Sequence, residues 1–113
     1  MAEYVPGRGD LLWLNFSPQV GHEQAGRRPA LVLSPRVYNE RSSLAIVCPI
    51  SSHSKGYPFE VQMPAAARIK GVILADQLKS VDWQQRRAQR AGKLPAATLE
   101  QMRETIAALL QLP

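Results

Sequence analysis

The residues from Gly21 to Pro29, Gly-His-Glu-Gln-Ala-Gly-Arg-Arg-Pro, place an imidazole, a carboxylate and two adjacent guanidiniums in one short segment with two glycines. Glycine and small polar residues mark loops, and loops on a rigid scaffold are where functional groups concentrate. A second such segment, Pro49 to Gly56, carries Ser51, Ser52, His53, Ser54 and Lys55 away from the end of an apolar run. Two loops of this kind can face one cleft. Arg, His, Glu and Ser side chains suit cleavage of an RNA phosphodiester without a metal. In that reaction a proton leaves a 2′-hydroxyl, negative charge builds on a five-coordinate phosphorus, and the departing 5′ oxygen takes up a proton. A two-metal nuclease instead gathers several carboxylates in one place. Asp10, Glu23, Asp76 and Asp82 are scattered over separate segments, and no run has metal-ligand spacing, so no metal or cofactor is expected.

His22 and His53 offer a second mechanism, one imidazole as base and the other as acid, because His alone titrates near neutrality unperturbed. Solvent-exposed loop histidines, or stacking of His53 on a base, form the competing reading. The formal charge is +5, and ten of the fourteen basic residues are Arg, whose planar fork suits phosphate oxygens. A polyanion is therefore the first partner to consider, although a solubilising surface would carry the same charge. Lys55, Lys79 and Arg86 are candidates for tracking a phosphate backbone. Tyr57, beside Gly56, is a candidate for stacking on splayed bases, and Gln77 for reading base edges. Phe59 and Trp13 sit at strand spacing and read as core or dimer contacts.

The elements that position these groups are short. Apolar runs at Leu11–Phe16, Ala30–Leu33, Leu44–Ile50, Tyr57–Met63, Gly71–Ala75 and Leu78–Trp83, with turn residues between them, predict strands. The alternation through Tyr57–Met63 predicts one core-facing and one solvent-facing side, with Pro58 at a strand start or edge. Only the C-terminus has a helical period: Leu99, Met102, Ile106 and Leu109 step by three and four after Pro95. Leu110 and Leu112 lie off that stripe. The polar stretch Gln84–Lys93, with Arg86, Arg87, Arg90 and Lys93, reads as a loop or short helix. Together these predict one α+β domain over residues 1–113, a small, strongly bent antiparallel sheet approaching a barrel, with a C-terminal helix. Cys48, inside an apolar run and without a disulfide partner, reads as a small core residue. No apolar stretch approaches the ~20 residues of a membrane span, so a cytoplasmic location without membrane association is expected.

Four segments, GDLLWLNFSP, GHEQAGRRPALVLSP, CPISSHSKGYPFEV and GVILADQLKSVDW, resemble in order and spacing the MazF/PemK family of toxin endoribonucleases. The likeness is close over residues 4–83, and beyond Gln84 only the closing helix is shared in character. The resemblance implies an SH3-like barrel of the CcdB/MazF type and a two-fold homodimer. It also implies sequence-specific, metal-independent cleavage of single-stranded RNA, mRNA foremost, leaving a 2′,3′-cyclic phosphate and a 5′-hydroxyl. By motif, the family's Arg before Pro falls on Arg28 and its hydroxyl residue on Ser51, where Thr is usual; Ser keeps the hydroxyl but loses the methyl that stiffens the rotamer. Arg28 then stabilises the charged phosphate, Ser51 bonds a phosphate oxygen, and Glu23 orients Arg28. The family further implies a cognate, MazE-like antitoxin whose acidic, extended C-terminal tail covers the cleft and the dimer seam. Two other functions fit such a fold: a CcdB-like poison that grips gyrase and cuts nothing, and a barrel that binds RNA and leaves it intact. The gyrase poison needs neither the Arg nor the hydroxyl of these loops.

Overall fold

The computed structural model describes residues 4–16 and 26–113. Seven strands are formed: β1 (Asp10–Asn15), β2 (Arg27–Val32), β3 (Leu44–Ser51), β4 (Glu60–Gln62), β5 (Val72–Leu74), β6 (Lys79–Asp82) and β7 (Gln89–Lys93). Helix α1 (Arg36–Ser42) joins β2 to β3, and α2 (Ala96–Leu110) closes the chain. All the pairings are antiparallel, in the order β4-β5-β3-β2-β1-β7, with β6 added to β3 outside that path. The domain is the expected α+β fold with a bent antiparallel sheet. Its β4 and β7 edges do not meet, so the barrel stays open.

β3 forks the sheet. One of its edges pairs with β2, while the other pairs with β6 along Leu44–Val47 and then with β5 at Ile50–Ser51. Because strand side chains alternate, β1–β3 supply two cores at once. Leu11, Leu31, Cys48, Ile50 and Ile73 pack with Met102, Leu99 and Ile106 of α2. Leu12, Leu14, Ala30, Val32, Val47, Val81 and Trp83 fill the opposite face. Burying each large aliphatic side chain stabilises by roughly 1.5–3 kcal/mol, which is why these strands read as apolar runs. In α2 Leu99, Met102 and Ile106 face the core while Leu109, the fourth residue of the expected stripe, is not among its members; Leu110, and Leu112 beyond the helix, remain exposed.

Three expectations are corrected. Gln89–Lys93 is neither loop nor helix but strand β7, paired to β1 with a bulge at Leu11/Leu12; an exposed edge strand needs no apolar alternation, so its pattern is mute. The strand expected over Tyr57–Met63 begins only at Glu60, after a turn in which the Glu60 amide bonds the Tyr57 carbonyl at 3.2 Å. Trp13 is not a core residue: it is 37% exposed, with Pro29 and Gln89 as its cross-strand neighbours. Helix α1 has no apolar stripe to announce it. Fully buried Asn39 holds it, donating to the Pro6 carbonyl at 2.7 Å and the Ser34 carbonyl at 3.1 Å, accepting from the Ser34 hydroxyl, and receiving Trp83 Nε1 on its own carbonyl at 3.0 Å.

Candidate active site

The β2–β3 ladder pairs Val32 with Val47 and Ala30 with Pro49. The pairing ends at Ala30 and Pro49; Arg28 and Ser51 each lie two residues beyond it, with the side-chain parity of Ala30 and Pro49. Both lie on the face that Ala30 and Val47 share, since every second residue of a strand points the same way. Lys79, paired to Val47, belongs to that face too, and its ammonium stands 5.4 Å from the centre of the Phe16 ring. The sheet thus brings a guanidinium, a hydroxyl and an ammonium from three strands to one side.

The paired arginines part company because neighbours in a strand face opposite ways. Arg27 points to the other face and is stapled there, donating to Asn15 Oδ1 at 3.0 Å, the Arg87 carbonyl at 2.9 Å and Gln89 Oε1 at 3.3 Å. Arg28, exposed like Arg27, lies on the side of Ser51.

Ser51 closes a tight turn in which its Oγ accepts the His53 amide at 3.1 Å and lies 3.3 Å from the His53 carbonyl. That amide restrains a rotamer which the missing methyl would otherwise have stiffened. Ser52 Oγ sits 3.0 Å from His53 Nδ1, so His53 is drawn into the turn next to Ser51. Behind Ser51, Gly71 holds φ at +119°, and a Cβ on it would stand 1.9 Å from the Ser51 carbonyl oxygen. Only glycine permits this approach.

The loop that follows is built around a carboxylate. Glu60 accepts from Ser54 Oγ at 2.7 Å, the Lys55 amide at 2.9 Å and the Gly56 amide at 3.2 Å. The Lys55 amide, then the Ser54 hydroxyl, hold this carboxyl below its ordinary range. Lys55 and Tyr57 are displayed from this loop, Tyr57 at 59% exposure.

The remaining sequence candidates are distributed elsewhere. Gln77 ends a 3-10 turn (Ala75–Gln77), and its Oε1 is buried without a hydrogen-bond donor among the described residues, an unmet acceptor rather than an open base-reading edge. Arg86 clamps the end of β1: its Nη1 donates to the Asn15 carbonyl at 2.9 Å and its carbonyl accepts the Asn15 amide at 3.0 Å. With Arg27, Asn15, Ser80, Asp82 and Gln85 it lines an open groove of about 700 Å³. Glu23 and His22 lie outside the described residues.

Sequence reasoning passed over Glu60, Gly71 and Arg27. Glu60 looked like the solvent-facing member of an alternating strand, and its donors become visible only once the loop is folded. Among the described residues no three His, Cys, Asp or Glu side chains gather as a metal site. Asp10 is occupied structurally, accepting from the Tyr4 hydroxyl and the Gly7 amide, with Arg90 Nε 3.9 Å away. Burial, with a smaller contribution from Asp76, pushes the Cys48 thiol up to about 12, which suits a packing residue and not a nucleophile. No helix among the described residues is long and apolar enough to cross a membrane.

A family model described as PemK-like, MazF-like toxin of type II toxin-antitoxin systems matches residues 7–110. The endoribonuclease toxin MazF of Escherichia coli K12 is 44% identical over 110 residues, covering 97% of this chain and 98% of that one. The crystal structure of MazF (Form-I) from Deinococcus radiodurans superposes with a TM-score of 0.92 at 52% identity, covering 96% of this chain and 99% of that one. The MazF in a MazE–MazF complex (Form-II) from the same organism gives a TM-score of 0.87 at 46% identity, covering 98% and 100%.

Proposed function

This chain belongs to the PemK-like, MazF-like toxins of type II toxin-antitoxin systems, and we propose that it acts as an endoribonuclease on single-stranded RNA, mRNA foremost. What supports the residue assignment is strand alternation, which gives Arg28 and Ser51 the same side-chain parity as the paired Ala30 and Pro49 of β2 and β3.

In this reading the scissile phosphate sits between those two side chains. The 2′ oxygen attacks phosphorus, losing its proton, and the 5′ oxygen departs and gains one, leaving a 2′,3′-cyclic phosphate and a 5′-hydroxyl. Arg28 directs charge-assisted hydrogen bonds at the non-bridging oxygens as charge accumulates. A guanidinium stays protonated, so its role is electrostatic stabilisation and not proton transfer. Ser51 Oγ keeps accepting the His53 amide while its proton turns from the His53 carbonyl to a phosphate oxygen. Glu23, in the same segment as Arg28, orients it.

Lys55, Lys79 and Arg86 follow the flanking phosphates, and Tyr57 and His53 stack on bases. The complex of the Deinococcus relative supports a MazE-like antitoxin as partner, and the +5 chain suits one with an acidic, extended C-terminal tail. The working form is a cytoplasmic homodimer, and the reaction proceeds without a metal.

The test is incubation of the protein and its Arg28→Ala variant with a long single-stranded RNA in EDTA, with mapping of cut sites and end groups. Discrete cuts with cyclic-phosphate ends in the parent, lost in the variant, are expected. Cleavage surviving Arg28→Ala would remove Arg28 from the mechanism, and intact RNA with the parent would refute metal-independent cleavage.

A further inference from the structure

We propose that Glu60 is a positioning residue for RNA binding: its carboxylate clasps the Ser54–Tyr57 loop and so holds Lys55 and Tyr57 in place beside the Ser51 end of β3. This rests on the reading of Arg28 and Ser51 as the cleavage site.

A carboxylate is an unexpected neighbour for a surface that takes a polyanion. Within a few residues of Lys55 it opposes RNA electrostatically, so its presence there calls for another role. Its contacts supply one. The Ser54 hydroxyl and the Lys55 and Gly56 amides, which donate to it, all belong to a single turn of chain, and Gly56 adopts a left-handed φ of +73° to fit it. Glu60 itself is anchored. Its backbone pairs with Leu74 in β5, and Val72 of β5 pairs with Ser51. The loop therefore starts at the Ser51–His53 turn and is fastened back, through its carboxylate hub, to the strand that flanks Ser51. None of these loop contacts lies in either core. Releasing the clasp frees the loop, which must then be ordered each time RNA binds, at a cost in affinity and not in the chemical step.

Charge and clasp predict opposite signs. If Glu60 were only a surface anion, Glu60→Ala would tighten RNA binding. As a clasp, its removal weakens binding by roughly ten-fold, the scale of a lost set of charge-assisted hydrogen bonds. The experiment measures KM and kcat on a cleavable oligonucleotide, and Kd on the same sequence carrying a 2′-deoxy residue at the cut site. Glu60→Ala should raise Kd and KM together with kcat little changed, and Glu60→Gln, which keeps an acceptor, should fall between. Ser54→Ala and Gly56→Ala should weaken binding in the same direction, so the inference remains decidable if Glu60→Ala fails to fold. Unchanged or tighter Kd across the set, or a fall in kcat with Kd unaltered, would overturn it. A parent that binds RNA but leaves it whole would refute the cleavage reading instead, and the Kd series would still decide the clasp.

Discussion

Gly71→Ala is the substitution by which the geometry behind Ser51 is most directly tested. An added Cβ would stand 1.9 Å from the Ser51 carbonyl oxygen, 2.8 Å from its carbonyl carbon and 3.0 Å from the Ser52 Cα. All are backbone atoms, so no side chain can swing away. A tolerable carbon–oxygen separation is about 3.3 Å, and Ser51 or the start of β5 must therefore shift by more than an ångström. Alanine at a φ of +119° adds backbone strain of roughly 1–3 kcal/mol. A displacement of ~1 Å at a reacting group costs about a hundred-fold in rate. With ~2–3 kcal/mol lost overall, a domain of this size should melt about 10 °C lower. The assay is kcat/KM on a fluorogenic RNA oligonucleotide together with a thermal melt. Gly7→Ala is the control, because a Cβ there meets its nearest neighbours at an ordinary 3.8 Å. A Gly71→Ala protein that cuts and melts like the parent would show that Ser51 is not held against Gly71 as described.

Ser51→Thr should retain or raise kcat, since the added methyl restrains χ1 in addition to the His53 amide; a loss of more than about ten-fold would show that the site has no room for it. Asn39→Leu should destabilise by about 3 kcal/mol or more, measured by urea unfolding, because it leaves the Pro6 and Ser34 carbonyls without a donor and the Ser34 hydroxyl proton without an acceptor in the interior. Cys48 has a folded pKa raised to about 12, so the folded state keeps its proton where the unfolded thiol has lost it. Its contribution is complete below the unfolded pKa and is lost as pH rises from there towards about 12. Cys48→Val should flatten the onset of that alkaline decline in unfolding free energy, and an unchanged pH profile would count against it.

The elements legible in the sequence were those that a core demands. β1, β2, β3 and β5 are buried enough to read as apolar runs, and α2 shows its stripe because one face packs and the other does not. β7 was hidden because an edge strand bearing Gln89, Arg90 and Lys93 satisfies its backbone through β1 and owes nothing to side-chain pattern. Helix α1 was hidden because its anchor is a buried polar residue, Asn39, which composition rules place outside. Of the site, the residue types at positions 28 and 51 were readable, whereas the side of the sheet each takes is a matter of register. Which of Arg27 and Arg28 faces Ser51 follows from strand alternation, and that needs a strand boundary before it can be applied. Glu60 and Gly71 escaped because only the folded chain reveals the path of the loop that holds Glu60's partners, four to six residues away, and brings Ser51, twenty residues away, against Gly71.

The fork at β3 has a consequence for how the molecule can change. Arg28 and the Val47 end of β3 are braced by β1, β2 and β6, whereas the excursion from Ser52 to Gly71 is tethered through β5 and the Gly71 contact. The chain between can be lengthened, shortened or recomposed at modest entropic expense, because closing a surface loop depends only weakly on its length. On the proposed assignment of Arg28 and Ser51, chemistry and ligand contacts are thus inherited separately: drift in the excursion alters what is gripped, and the strands at its root keep their alignment.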